Sequence, residues 1–361
     1  MDRDLVRDRV VADVAVLARA QVDLETFAHE AMQSLQRAVP HDGWSLGTLD
    51  PASLMPTGVC LREGCAVAWS AHDREWARLE YGEEDPTSVL AMARSGRAAL
   101  GVHDDTGGDL SRSPRMRDLM TPVLGCADEL RALATDGHRS WGAVFLYRLR
   151  GHFEPWEVAL VEALCHSFAR AVRRGVLGMW AGRRTVTDDA TPTMVVLDAR
   201  GEVVLSSPGG VEQLVSLHHG DGAEASEGLL ASLAAAAAAT RATKGAHHPT
   251  TRVRLADGRW CTVHATPLGS PDADLVGVTI TESRPRELLP LVVDALGMTP
   301  RERNVLVLVV RGADTRSVAE QLHMSSHTVQ DHLKAIFAKA GVHSRRELTA
   351  LVLGDQLDPA W

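Results

Sequence analysis

Residues 298–354 read MTPRERNVLVLVVRGADTRSVAEQLHMSSHTVQDHLKAIFAKAGVHSRRELTALVLG, and four helix signals follow one another in this stretch. Thr299 is a natural N-cap, Pro300 takes the first helical position, and Glu302 falls where a capping box needs a glutamate. Val305, Leu306 and Val309 supply the apolar face of this helix and Gly312 its stop. A short second helix, Thr315 to Leu322, presents Val318, Ala319 and Leu322. Ser325 caps a third, in which Val329, Leu333, Ile336, Phe337 and Ala340 turn inward until Gly341 ends it. Arg345 to Leu353 forms the fourth. An all-α four-helix domain is expected over residues 298–361, preceded by a linker helix at 285–297.

The third helix has two faces at helical spacing. His327, Gln330, Asp331, Lys334 and Ala338 lie opposite the core-forming residues, where side chains reach base edges if the helix enters a major groove. Thr328, His332 and Lys339 lie on the flank, suited to phosphates or to packing, and the helix N-terminus at Ser325 and Ser326 offers free amides to a phosphate. Arg345 joins this set at the start of the fourth helix. From Thr299 to Gly354, Arg301, Arg303, Arg311, Arg316, Lys334, Lys339, Arg345 and Arg346 outnumber Glu302, Asp314, Glu320, Asp331 and Glu347. The whole chain carries −9, so the basic surface is local to this end.

Thr299, Arg301-Glu302, Val305-Leu306, Gly312, Ala319, Leu322, Ser325, Thr328-Val329, His332, Ile336, Lys339, Gly341-Val342 and Ser344-Arg345 fall in the order of one known pattern. Over this domain the chain closely resembles the LuxR-type helix-turn-helix family. The resemblance implies a transcription regulator that binds double-stranded DNA as a homodimer, with the fourth helix pairing the subunits near Leu351 and Val352. RNA polymerase is a further candidate partner. One departure stands out. Many members carry a basic residue after the Thr-Val pair, where this chain has Gln330 and Asp331. Gln pairs with adenine and Asp accepts from cytosine, but Asp also repels phosphates; the alternative is that Asp331 is merely solvated and Lys334 makes the contact.

At 361 residues the chain suits two or three domains, and 45% hydrophobic residues suffice for buried cores. The odd cysteine set Cys60, Cys65, Cys126, Cys165 and Cys261 has no CxxC pair or zinc-like spacing, which fits buried thiols in a reducing compartment. The N-terminus lacks the apolar core of a signal peptide, and no stretch of about twenty apolar residues occurs. A cytoplasmic protein without a membrane span is expected.

Ahead of the helical domain, an amphipathic entry helix is read at 1–22, with Val6, Val10, Val11, Val14 and Leu17 at helical spacing. Residues 23–182 combine a helix from Leu24 to Val39, strand-like runs at Trp44–Leu49, Val59–Leu61 and Ala143–Tyr147, a helix at Pro86–Arg94, and a long amphipathic helix from Glu154 to Val176. Strands framed by helices indicate an α+β domain. The runs WSLGTLDPASLMPTG, LEYGEEDPTSVLAMARSG, GDLSRSPRMRDLM, DELRALATDG and WGAVFLYR resemble GAF domains fused to LuxR-type modules in actinobacterial regulators, which implies a small-molecule sensor. Trp44, Trp69, Trp76, Tyr81 and Trp141 are its candidate pocket walls, though a plain core accommodates them equally. The charged loop His103–Arg117 reads as a lid or anion clamp, or as a solvated loop.

A joint at Gly182–Arg184 and Asp188–Pro192 leads to a second α+β domain at 186–284. It contains strands at Met194–Asp198 and Val203–Ser206 around Ala199-Arg200-Gly201, then an alanine-rich helix at Gly228–Thr243. Strands at Thr251–Leu255, Trp260–Thr266 and Leu275–Thr281 follow, the first two joined by Ala256-Asp257-Gly258. Two strands, helices, then three strands is the order of a PAS domain.

Enzyme readings find no support: GxxxxGK[ST] and HExxH are missing, and the GxSxG match at Gly43–Gly47 falls within the strand-like run at Trp44–Leu49 instead of at a strand-to-helix turn. No cofactor is required by any motif, and the pairs His218-His219 and His247-His248 lack further ligands at metal-binding spacing. Two roles remain for the front domains: effector sensing, or a ligand-free scaffold for dimerisation and partner docking. A continuous apolar pocket above roughly 300 Å³ beneath the tryptophans favours sensing, and a filled core favours the scaffold.

Overall fold

The computed structural model describes residues 3–20, 22–82, 84–137, 139–181, 192–198, 201–210, 212–213, 224–240, 249–255, 258–269 and 275–353. Most of the expected joint at 182–192, the turn residues Ala199, Arg200, Ala256 and Asp257, and both histidine pairs lie outside the described residues. The chain packs as two units. One holds residues 1–175, 191–256 and 261–281; the other holds 176–190, 257–260 and 282–361.

In the first unit, α1 (Arg3–Leu17) buries Val10 and Val14, and α2 (Leu24–Gln36) buries Phe27, Ala28, Ala31, Met32 and Leu35. The Asp23 carboxylate starts α2 by accepting the Thr26 amide at 2.7 Å. The first sheet is built from β1 (Gly43–Leu49), β2 (Pro56–Gly64), β3 (Ala99–Gly101), β4 (Asp128–Thr135) and β5 (Ser140–Arg148), in the order β2-β1-β5-β4-β3. Every neighbouring pair is antiparallel. Between β2 and β4 come α3 (Cys65–Ala68), α4 (Asp73–Gly82), α5 (Val89–Ser95) and α6 (Val102–Asp105), and α7 (Pro155–Ala181) follows β5. Helix α5 starts at Val89, later than the pattern suggests, because Ser88 caps it through the Ala91 amide. Gly142 lets β5 run close to β1: a Cβ there would stand 2.7 Å from the Gly47 carbonyl oxygen and 3.5 Å from Val172 of α7.

Strand β4 has no counterpart in the sequence reading, and its charges explain why. Asp128, Glu129 and Arg131 are all fully buried. The Arg131 guanidinium donates to Glu80 of α4 at 2.7 Å, and Arg115 meets Glu80 at 3.1 Å, with Glu129 as a further partner. Asp85 accepts the Thr87 amide at 2.8 Å and the Ser113 hydroxyl at 2.5 Å. Burial raises the Asp85 carboxyl, but Arg115 and the two hydroxyls outweigh it and hold the group below the usual carboxylate range.

The second sheet comprises β6 (Thr193–Leu197), β7 (Val203–Ser206), β8 (Thr250–Arg254), β9 (Trp260–Leu268) and β10 (Leu275–Glu282), in the order β7-β6-β10-β9-β8. The two sheets share a plan: the first strand of each lies between its hairpin partner and the last strand. Helix α8 (Glu224–Thr240) separates β7 from β8 in sequence, and Leu229, Leu233 and the alanines 234–237 pack with Val195, Val253, Val263 and Val278. Small side chains admit a close neighbour. A Cβ on Gly82 of α4 would meet Ala235 at 3.4 Å, and one on Gly228 would meet Asp73 at 3.3 Å. Tyr81 and Met55 of the first sheet's module join the same apolar cluster. The Arg252 guanidinium clasps Asp50 with two bonds, at 2.8 and 2.9 Å.

In the second unit, α9 (Pro285–Ala295) precedes α10 (Pro300–Val310), α11 (Thr315–Leu322), α12 (Ser326–Ala340) and α13 (Arg345–Leu353). Among the described residues, no helix is long and apolar enough to cross a membrane.

Arg115→Ala leaves Glu80 and Glu129 without their counter-charge in the interior, and is expected to lower stability by about 3–5 kcal/mol in denaturant unfolding. Arg316→Ala, which breaks a pair exposed to 85% and 66%, should change it by less than about 0.5 kcal/mol. Equal effects would mean that the buried network contributes no more than a surface pair.

Candidate nucleic-acid interface

Each helix of the C-terminal domain is closed by its own backbone chemistry. At α10 the Glu302 amide donates to the Thr299 hydroxyl at 3.3 Å and the Thr299 amide to Glu302 at 2.6 Å, completing the capping box. Asp314 caps α11 through the Ser317 amide at 2.7 Å. His323, at φ 53°, makes the left-handed exit from α11 that glycine usually provides. Ser325 accepts the Thr328 amide at 3.0 Å and pairs with the Thr328 hydroxyl at 2.9 Å, so these two residues hold each other at the start of α12.

Val329, Leu333 and Ile336 anchor α12 to the core, and the opposite face is open. Ser325, Ser326, His327, Thr328, Gln330, Asp331 and Lys334 are exposed, and His332 is half-buried. Asp331 is not merely solvated. One carboxylate oxygen lies 3.1 Å from His327 Nδ1 and the other 3.8 Å from Lys334 Nζ, so one acid sits between two basic groups on the outward face.

Lys339, expected at phosphates or in packing, and Arg345, expected at the DNA, are both bonded inside the domain. The Lys339 ammonium donates to the Gly297 carbonyl at 3.0 Å and to Glu302 at 2.6 Å, tying the end of α12 to the start of α10. Arg345 donates to the Ala313 carbonyl at 3.0 Å and the Thr315 hydroxyl at 2.7 Å, fixing α13 against the turn before α11. Arg301, Arg311, Arg316 and Arg346, counted in the basic surface but not among the expected site residues, are exposed; no periodicity singled them out. At the expected subunit contact, Val352 is fully buried within the chain. Leu351 is half-buried, and its carbonyl accepts the Trp180 indole N–H at 2.6 Å.

The five aromatic residues expected to wall a pocket divide three ways. Trp69, Trp76 and Tyr81 line a cavity of about 120 Å³ between the first sheet, α3, α4 and α8. Trp44 faces elsewhere, with its indole N–H on Glu63 at 3.1 Å and its ring edge-on to His29 at 5.3 Å. Trp141 is a core residue, fully buried and bonded to Asp136 at 3.3 Å. The loop at 103–117 is not simply solvated, because Ser113 and Arg115 are fully buried and bonded within the network around Glu80. Among the described residues, no group of three His, Cys, Asp or Glu side chains is placed to hold a metal ion.

Residues 296–352 match the family described as bacterial regulatory proteins, luxR family. The C-terminal domain is a LuxR-type helix-turn-helix. It is 42% identical over 53 residues to the monoamine regulon transcriptional regulator of Klebsiella aerogenes, 15% of this chain and 23% of that protein. It is 40% identical over 58 residues to the response regulator Rre1 of Synechocystis, 16% of this chain and 25% of that protein. An HTH-type transcriptional regulator of Mycobacterium bovis matches at 43% over 51 residues, 14% of this chain and 6% of its own length. The alignments therefore span a quarter or less of these relatives. A solved VqmA dimer of Vibrio cholerae overlaps 46% of this chain and 83% of its own at 18% identity, with a TM-score of 0.19, too low for a fold comparison.

Burial raises the Glu302 carboxyl, but Lys339 and the Thr299 amide and hydroxyl outweigh it and hold the group below its ordinary value of 4.5. A depressed folded value stabilises the LuxR-type domain above the unfolded carboxylate range, and this is lost as pH falls through the folded value. Amide exchange in α10 and α12 should therefore accelerate, beyond its intrinsic pH dependence, as pH falls below the ordinary carboxylate range. Glu302→Gln should flatten that excess; an unchanged profile would remove Glu302 as its source.

Proposed function

We propose that this protein is a homodimeric transcription regulator that reads DNA with α12. The observation that carries the reading is the outward face of that helix, where His327, Gln330, Asp331 and Lys334 are exposed while Val329, Leu333 and Ile336 lock the other side. Gln330 suits adenine and Asp331 suits cytosine, and the α12 N-terminus with Ser325 and Ser326 suits a phosphate. Arg311, Arg316 and Arg346 are additional candidates for the DNA backbone, in place of Lys339 and Arg345. Dimerisation through α13 would use Leu351 more than the buried Val352. RNA polymerase remains a candidate partner, and the reading needs no catalysis.

The front of the chain is read as a GAF-like module followed by a PAS-like module, a reading supported by the shared strand plan of the two sheets. Their role is effector control of how two LuxR-type domains meet DNA, which requires a ligand that binds the competent and incompetent arrangements unequally. Helices α7 and α9 are the candidate transmitters. The scaffold reading also has an observation in its favour: the cavity's 120 Å³ is well below the volume of a drug-sized site. An effector held in that cavity must be small.

Footprinting on sheared genomic DNA should show a two-fold symmetric site. Lys334→Ala should weaken binding there by about 1–3 kcal/mol. Asp331→Asn frees two basic groups and should raise affinity for random DNA and steepen its salt dependence. Binding unchanged in both variants would take the α12 face out of the interface.

A further inference from the structure

The cavity beside Trp69 and Trp76 has walls from both front modules. The first sheet contributes Gly47, Phe145 and Tyr147, and α8 of the second module contributes Gly228, Leu229 and Ser232. Trp69 meets Tyr147 edge-on at 4.9 Å, and Trp76 meets Phe145 at 5.7 Å. Gly47 is the telling residue. Glycine in a strand interior is destabilising, and one physical reason to find it there is the close approach of a ligand. A register shift follows between Gly47 and Leu49, yet Gly47 is not in the left-handed conformation that would demand glycine. A Cβ built on it meets nothing within 4 Å. The space is there, and the sequence leaves it open.

The volume is of the order of the roughly 150 Å³ apolar cavity that admits benzene. Among the polar groups of the lining, one pair faces the aromatic rings. Ser45 Oγ and Tyr147 OH are 2.8 Å apart in the interior. Two hydroxyls hold two protons and one bond between them uses one, so a second O–H is left to donate. Burial pushes the Tyr147 phenol well above its usual range, so it keeps its proton at neutral pH. Arg62 and Asp73, also in the lining, pair with each other at 2.7 Å.

We propose that this cavity takes up one neutral aromatic ring carrying a hydrogen-bonding oxygen, a phenol-type ligand, and that the bound ring fastens α8 to the first module. The proposal rests on the effector-controlled reading above and names the class of effector and its point of action. The ring lies between Trp69 and Trp76 with its oxygen at the Ser45–Tyr147 pair. Leu229 and Ser232 close over it, so separating α4 from α8 means giving up the ligand.

The test is calorimetric titration of the full chain with phenol, with toluene as the ring lacking the oxygen. Phenol should bind saturably at one site per chain and more tightly than toluene. Tyr147→Phe should weaken phenol by about 5- to 10-fold. Gly47→Leu should abolish binding, since the leucine occupies the space; if that variant does not fold, the wild-type and Tyr147→Phe titrations decide. With phenol bound, amide exchange across α8 should slow. No saturable phenol binding, or undiminished binding in a folded Gly47→Leu variant, overturns the proposal. Binding without slower exchange in α8 overturns the fastening. DNA footprints taken on the same samples separate the failures: a footprint without phenol binding sinks only the cavity, and phenol binding without a footprint sinks only the regulator.

Discussion

Two arginines sealed in the interior with three carboxylates set the arrangement of the front half. Arg115 and Arg131 face Glu80, Glu129 and Asp85, and every one of these groups is buried. Buried charges hold their geometry tightly, because each displaced partner leaves an uncompensated ion. Glu80 lies on α4, so the network fixes the helix that also carries Trp76 and Tyr81. Its Oε1 accepts the Val89 amide at 2.7 Å, which positions the start of α5. Arg131 in turn stacks over Phe145 at 4.5 Å, and Phe145 is a cavity wall. The cavity therefore takes its shape from an electrostatic frame behind it.

From α4 the dependence passes to the second module. Gly82 and Gly228 sit where α4 and α8 approach closely, a Cβ on either already touching the neighbouring helix, and the alanines of α8 complete the contact. What looks like low complexity in AAAAAA is a packing surface. The LuxR-type domain obeys a different rule. Its helices are fixed by short-range caps, and Lys339 and Arg345 brace them from within.

This difference explains what could be read from the sequence. The four helices of the LuxR-type domain were legible almost to the residue because Thr299, Asp314, Ser325 and Gly341 mark their ends locally. Strand β4 was not, since Asp128, Glu129 and Arg131 read as surface charges until partners distant in sequence, Glu80 and Arg115, come into view. The same blindness to distant partners affected the site. Lys339 and Arg345 carry the right charge for DNA, but nothing local reveals that Glu302 and Ala313 already hold them. Aromatic type alone could not separate Trp69 and Trp76, at the cavity, from Trp141 in the core.

Asp331 has a consequence for movement as well as for recognition. A helix face whose acid lies between its own two basic groups has little long-range pull on a polyanion. On the proposed reading, contacts with unmatched sequence would be brief, and the protein would leave them quickly for solution. In a genome, where unmatched sites outnumber matched ones by orders of magnitude, short visits keep more of a scarce protein free to find its operator.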